Sequence, residues 1–375
     1  MSALFRLGRR LVLAFRHAPL WVARAALVVI LGPAPGARPR MFYGVSRIAN
    51  ETAHVGGGLV KIQRLHPSFP NSPWRFNLLY LVSSATGPGA RMVARLAVRQ
   101  GAPLVWNQNG VAYSAWHPRW QRVNEEMASM LRIARHVVYQ SDFCKLSADR
   151  FVGHPMASWE ILYNAVDTER FLPAARPGDG LVILVGGTQD VAYRLSTALE
   201  VLARVVRRRA DARMIVTGRL HWGDDPASAP AEARRWVQRL GIGDKVEFVG
   251  PYSQVQAPAI YQRAHLLLHC KYNDPSPGLV VEALAAGLPV VYSASGGVPE
   301  LVGDEAGIGV PADLSWDRVI PPDPDAMAEA VLAVAADRKR FADAARQRGV
   351  DRFDVRPWLR RHAEIFERVL DERAG

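Results

Sequence analysis

Cysteine is scarce: the 375 residues include only two, Cys144 and Cys270. Two thiols cannot build a disulfide framework or a cysteine-ligated metal cluster. Without a secretory signature they read as free thiols in a reducing cytoplasm. Long apolar runs are missing from the N-terminal segment too, its longest uncharged one being Ala25 to Leu31. That is far short of the roughly 20 residues that span a bilayer. No repeat period or low-complexity tract is present, and no small-x-small cleavage pattern follows a clean apolar core. Acid is absent from one region. Residues 1–40 carry Arg6, Arg9, Arg10, Arg16, Arg24, Arg38 and Arg40 and no Asp or Glu, so they hold +7 of the net +12 and leave +5 for the rest.

These arginines alternate with Leu, Phe, Trp and Val, the pattern of a basic amphipathic helix lying on an anionic membrane surface. An arm packed on the protein itself is the competing reading. Nucleic acid is not expected as a partner, since no recognised binding module accompanies the arginines. The expected location is cytoplasmic, peripheral on the inner face of the cytoplasmic membrane.

A chain of this length exceeds one ordinary hydrophobic core, so two domains are expected. After Pro39 short apolar strands alternate with helical stretches: MFYGV, FNLLYLVSS, PLVWNQ, HVVYQS and WEILYNAV. Such alternation implies a parallel sheet covered on both faces. The stretch TERFLPAARPGDG suits a linker. A second series then begins with LVILVGG and continues through RMIVTG, KVEFVG, HLLLHC and LPVVYS. The end of the chain is helical. The expected division is an arm over 1–40, a first Rossmann-like domain over 41–170, a second over 171–350, and a terminal helix over 351–375.

The segment NDPSPGLVVEALAAGLPVV, Asn273 to Val291, carries most of the chemistry. From Leu279 to Ala286 every residue is apolar except Glu282. A helix apolar all round is buried, and a carboxylate buried there needs a partner. Ser276 suits the N-cap, Pro277 the first helical position and Gly287 the residue past the end. The N–H groups around Pro277, Gly278 and Leu279 then form an anion site. Asp274 stands just outside it. A phosphate on the helix start, a sugar hydroxyl on Asp274 and further hydroxyls on Glu282 describe a sugar nucleotide. A salt bridge to a core arginine is the alternative partner for Glu282.

This stretch resembles the paired-acid motif of family-four retaining glycosyltransferases, usually two Glu separated by seven residues and followed by a small residue, Gly and Pro-Val. Here the first acid is the shorter Asp274, and Pro277 stands where glycine is usual. ILYNAVDTERFLP and SASGGVPELVGDEAGIGV extend the resemblance. It implies a GT-B fold, an α/β architecture of two Rossmann-like domains facing across a cleft, with the last helix crossing back to the first. It also implies transfer from a UDP- or GDP-linked sugar, with retention, to a glycan or lipid-linked acceptor in cell-surface polysaccharide or glycolipid synthesis. No metal or other cofactor is expected. A sugar-nucleotide epimerase or hydrolase of the same fold, or a non-catalytic nucleotide-binding membrane partner, is the rival reading.

Other positions follow from the resemblance. Gly186, Gly187 and Thr188 end a strand where a diphosphate would approach, although a plain tight turn explains them equally well. The usual arginine after the glycine is absent, so Arg194 is the expected catalytic cation, with Lys271 and Arg219 as substitutes. Gly57 and Gly58, after Gly56, would line the cleft before a helix. Asn109 and His117 sit in the loop after VWNQ, where an acceptor-binding group could stand. Glu300 is expected to serve the dipole of its own helix, and Asp323 and Asp325 to cap the next one.

Overall fold

The computed structural model describes residues 18–174, 178, 180–223, 225 and 228–374. Arg6, Arg9, Arg10 and Arg16 of the basic arm lie outside the described residues.

The chain folds into two parallel sheets. In the first, the strands β1 (Met41–Phe42), β2 (Leu78–Val82), β3 (Leu104–Gln108), β4 (His136–Tyr139) and β5 (Ser158–Ile161) lie side by side in sequence order. The strands β2, β3 and β4 are buried throughout, which explains their unbroken apolar reading. One face packs Val93, Ala94, Met130 and Leu131 from the crossover helices. The other packs Ile62 and Leu65 with Trp358, Ile365, Phe366 and Val369 of the terminal helix Val355–Ala374. The terminal helix therefore belongs to the core of the first domain.

The second sheet comprises β6 (Leu181–Val185), β7 (Ala212–Thr217), β8 (Val246–Gly250), β9 (Leu266–His269), β10 (Val290–Ala294) and β11 (Gly307–Pro311). Their order is β11-β10-β9-β6-β7-β8. The chain runs outward from β6 to β8, returns to β9 beside β6, then runs outward the other way. Strand order thus reverses between β6 and β9, and such a switch point opens a crevice at the strands' C-terminal ends. The strand β11 is not foreseen from the sequence. Its glycines hide it: a Cβ on Gly307 would lie 1.9 Å from the Val290 carbonyl oxygen, so the close pairing with β10 requires glycine.

The two domains are joined twice at one place. The Val166 N–H donates to Phe353 O at 2.8 Å, and the Val355 N–H donates to Val166 O at 2.9 Å. The helix Arg338–Phe353 ends there, and Asp354 turns the chain into the terminal helix.

The arm is neither wholly free nor wholly packed. Residues 18–31 form a helix whose Ala25 and Val28 enter the first core. Arg24 is buried, with its guanidinium 4.9 Å from the Trp21 ring, 5.1 Å from Phe42 and 4.9 Å from Trp74. It is therefore withdrawn from any surface partner. The opposite side exposes Val22, Val29, Ile30 and Leu31. Among the described residues, no helix is long and apolar enough to cross a membrane.

Candidate active site

The helix Gly278–Ala285 follows β9 at the switch point. Its cap is Pro277, not Ser276, so the helix starts one residue later than expected. Ser276 is occupied elsewhere: its hydroxyl donates to Gln140 O at 3.2 Å and accepts from Asn164 Nδ2 at 3.2 Å, both in the facing domain. The Gly278 and Leu279 N–H groups, as the first of the helix, have no intrahelical acceptor. At the other end Gly287 has φ +71°. It donates to Leu284 O, and Leu288 donates to Ala283 O, the paired bonds of a glycine-terminated helix.

Asp274 is buried in the loop between β9 and the helix, held by a backbone that leaves little freedom. Asn273 before it has φ +50°, and the Asp274 carbonyl accepts from the Gly297 N–H at 2.9 Å. Lys271 Nζ lies 3.4 Å and His269 Nε2 3.2 Å from the same oxygen, Oδ2. The histidine contact has hydrogen-bond length but not alignment, and the ring is otherwise unpartnered at Nε2. Burial alone would raise the carboxyl pKa, but Lys271, His269 and Arg194 together hold it well below the usual range. The group is therefore an anion at neutral pH, with Oδ1 free of hydrogen bonds among the described residues.

Arg194 is almost fully buried beside the glycine turn after β6. Its guanidinium donates to Thr188 O at 2.6 Å and to Asp190 Oδ1 at 2.8 Å. Gly187 has φ +82°, and a Cβ there would meet Leu279 at 3.1 Å, so an arginine at that position would be strained. The guanidinium beside the turn belongs to the following helix, Ala192–Arg208. Gly186 packs behind the turn and does not line the cleft; Gly187 and Thr188 do.

Between the sheets lies a cleft of about 990 Å³. From the second domain it is lined by Arg194, Arg219, Lys271, Asp274, Glu282 and the Ser276–Leu279 turn. From the first come Gly57, Gly58, Asn109 and His117, together with Lys61, Arg64, Gln140 and Asn164, which the sequence alone does not single out. A Cβ on Gly58 would lie 2.6 Å from Ser84 Oγ, so a side chain there would have to displace that hydroxyl. The amide of Asn109 is already used: Nδ2 donates to Ser84 Oγ at 2.7 Å, and Oδ1 accepts from Gln140. His117 is half-buried and accepts from the Arg119 N–H through Nδ1. Lys61 is buried, and burial, reinforced by Arg64, pushes its ammonium pKa down to about 7, against an opposing pull from Cys144. It donates to Asn107 Oδ1 at 3.0 Å.

Glu282 is buried, as expected, and it has a protein partner. Its Oε1 accepts from Arg64 Nη2 at 2.9 Å, and Oε2 accepts from the Tyr261 hydroxyl at 3.0 Å. The arginine comes from the helix Gly57–Leu65, across the cleft. The salt-bridge alternative is thus realised in this structure. Glu300 stands in the first turn of its own short helix, Val298–Val302, as expected, and its carboxylate also accepts from the Asp142 and Phe143 N–H groups at 2.7 and 2.8 Å, so it caps a helix of the opposite domain as well. Asp323 caps its own helix through the Asp325 N–H. A further contact across the domains is Trp316, stacked on Phe143 at 5.4 Å and edge-on to Tyr113 at 5.2 Å.

Two parallel-sheet domains with a cleft at a switch point, and a terminal helix returning to the first, define the GT-B class. Residues 167–348, the second domain, match the family described as Glycosyl transferases group 1. A D-inositol 3-phosphate glycosyltransferase of Mycobacterium sp. (strain KMS) is 28% identical over 155 residues, 39% of this chain and 34% of the relative. A phosphatidylinositol N-acetylglucosaminyltransferase subunit of Arabidopsis thaliana is 29% identical over 171 residues, 45% of this chain and 34% of that protein. The match thus spans about a third of the length of these relatives. Among solved structures, HepE of Anabaena in complex with UDP and glucose superposes with a TM-score of 0.68 at 15% identity, covering 88% of this chain and all of that one. Sucrose-phosphate synthase of Thermosynechococcus elongatus gives 0.65 at 20% identity, covering 83% and 77%. These likenesses are of fold.

Proposed function

We propose that the chain is a retaining glycosyltransferase that moves a sugar from a UDP- or GDP-linked donor to a glycan or lipid-linked acceptor. The second domain, residues 171–350, takes the donor and the first, 41–170, takes the acceptor. The observation that carries this reading is the convergence of Asp274, Arg194, Lys271 and the open helix start at Gly278 on one side of the cleft. The donor diphosphate lies on the Gly278 and Leu279 N–H groups, with Arg194 and Lys271 against the charge that grows as it leaves. Asp274 Oδ1 accepts from a hydroxyl of the transferred sugar, and Glu282 from the ribose. The acceptor hydroxyl oxygen bonds to the anomeric carbon as the bond to the diphosphate breaks. Its proton passes to the departing phosphate oxygen, on the same face of the sugar. The relatives act in inositol-phosphate and phosphatidylinositol glycosylation by their names, which supports a phosphorylated or lipid-linked acceptor.

Incubation with a panel of UDP- and GDP-sugars and membrane lipid extract tests the reading. Acceptor-dependent release of nucleoside diphosphate is expected, and loss of most of it in Glu282→Gln. Tight nucleotide binding without turnover for any donor would sink it in favour of a non-catalytic partner.

Peripheral attachment to the inner face of the cytoplasmic membrane forms part of this proposal. Support comes from the apolar face of helix 18–31 beside an acid-free arm. Deleting the arm would remove Ala25 and Val28 from the core, so the test is Val22→Glu/Ile30→Glu. The pair should lower sedimentation with phosphatidylglycerol vesicles several-fold while leaving the thermal midpoint unchanged. Equal sedimentation of the variant and the parent would overturn the attachment.

A further inference from the structure

The residue expected to hold the donor ribose is occupied from within the chain. Glu282 offers two oxygens: the Tyr261 hydroxyl takes Oε2, from the same domain, and Arg64 Nη2 takes Oε1, from the opposite one. The guanidinium is held in place by two more acceptors, the Ala165 carbonyl in the segment joining the domains and Gln254 Oε1 at 3.3 Å. Both partners are largely withdrawn from water, with side chains 16% and 5% exposed. Each carboxylate oxygen can accept a second hydrogen bond, but the Glu282 side chain is nearly enclosed with Arg64 and Tyr261 already on its two oxygens, so a ribose diol gains room there only as the guanidinium gives way. Removing Arg64 from a buried Glu282 leaves that charge uncompensated until something replaces it.

We propose that Arg64 competes with the donor for Glu282, so that nucleotide binding requires exchange of the guanidinium for the ribose hydroxyls at Oε1. Tyr261 keeps the carboxylate oriented during the exchange by holding Oε2. Gln254 and the Ala165 carbonyl keep the displaced guanidinium nearby, ready to return when the nucleotide leaves. Arg64 thus lowers donor affinity and favours release of the nucleoside diphosphate. The inference rests on the donor-site reading given above, and the test separates the two.

Calorimetric titration with UDP and with GDP is compared for the parent protein, Arg64→Gln and Arg64→Lys. The glutamine variant should bind the accepted nucleotide roughly tenfold more tightly, because the binding-competent state no longer has to be reached by breaking the pair. The lysine variant keeps the charge without the fork and should fall between, which also serves if Arg64→Gln fails to fold. In parallel, unfolding midpoints of Arg64→Gln, Glu282→Gln and the double variant should be non-additive in the absence of nucleotide. Additive midpoints overturn the inference, since the pair then does not form in solution. So does nucleotide affinity that is unchanged or weaker in Arg64→Gln while the parent binds, and weaker binding would make Arg64 a direct ligand contact. If neither the parent nor Arg64→Gln binds UDP or GDP, the donor-site reading fails, and the exchange fails with it.

Discussion

Replacing Arg194 with alanine should lower kcat/KM for the sugar nucleotide by about 10²- to 10³-fold, the usual cost of removing one preorganised group that faces developing charge. Most of the loss should fall in kcat, because the charge on the leaving diphosphate is larger in the transition state than in the bound donor. Arg194 is suited to this role by confinement. The Thr188 carbonyl and Asp190 fix its guanidinium before any ligand arrives. Arg219 lines the same cleft but is exposed, and its alanine variant should cost less than about tenfold. Arg194→Lys should recover only part of the activity, since both fixed bonds come from Nη1 and a lysine that spends its ammonium on them has no second nitrogen to turn toward the diphosphate. Folding should change by no more than about 1 kcal/mol, because Asp190 is left half in water and can be solvated. Steady-state kinetics with a melting curve for each variant checks all of this. If Arg194→Ala keeps its kcat while Lys271→Ala loses it, the leaving-group cation is Lys271.

What could be read from the sequence was what is local in the chain. The buried strands announced themselves as apolar runs because both faces of each sheet are covered. The segment from Asp274 to Gly287 carries its acid, its helix start and its glycine stop within one turn-helix unit. Even there a one-residue error arose, since Ser276 is a good cap by type but its hydroxyl is taken by Gln140 and Asn164 from the other domain. Strand β11 was hidden for the opposite reason, glycines selected by a close backbone approach looking like a loop. Contacts across the cleft were illegible. Arg64 and Glu282 are 218 positions apart, and nothing in the helix Gly57–Leu65 marks Arg64 over Lys61 as the residue that reaches the second domain. Glu300 shows the same limit: its place in the first turn of its own helix was legible, but its bonds to the N–H groups of Asp142 and Phe143 across the cleft were not.

The terminal helix gives the largest expected effect on stability. Phe366→Ala should destabilise the first domain by about 3–5 kcal/mol, the range for truncating a fully buried phenylalanine. The ring is wholly inaccessible and meets Phe69 at 4.9 Å and Tyr80 at 5.7 Å, so its removal leaves a cavity among side chains drawn from distant parts of the chain. Neighbouring Glu367 is exposed, and its alanine variant should stay within about 0.5 kcal/mol of the parent. Urea unfolding followed by tryptophan fluorescence distinguishes the two. A cost below about 1 kcal/mol for Phe366→Ala would mean that the helix rests on the first domain without completing it. Acid should loosen the same anchor. His362 is buried against Tyr80, and since the Trp358 carbonyl beside Nδ1 can only accept, Nδ1 carries the proton and Nε2 accepts from the Tyr80 hydroxyl. Burial, only partly offset by the Trp358 carbonyl, pushes the imidazole pKa down from 6.5 to about 3. A depressed folded-state pKa stabilises fully above 6.5, and that contribution is lost as the pH falls from there towards about 3. The unfolding midpoint of the first domain should therefore fall across that window, and His362→Gln, which has no imidazole to protonate, should flatten the fall.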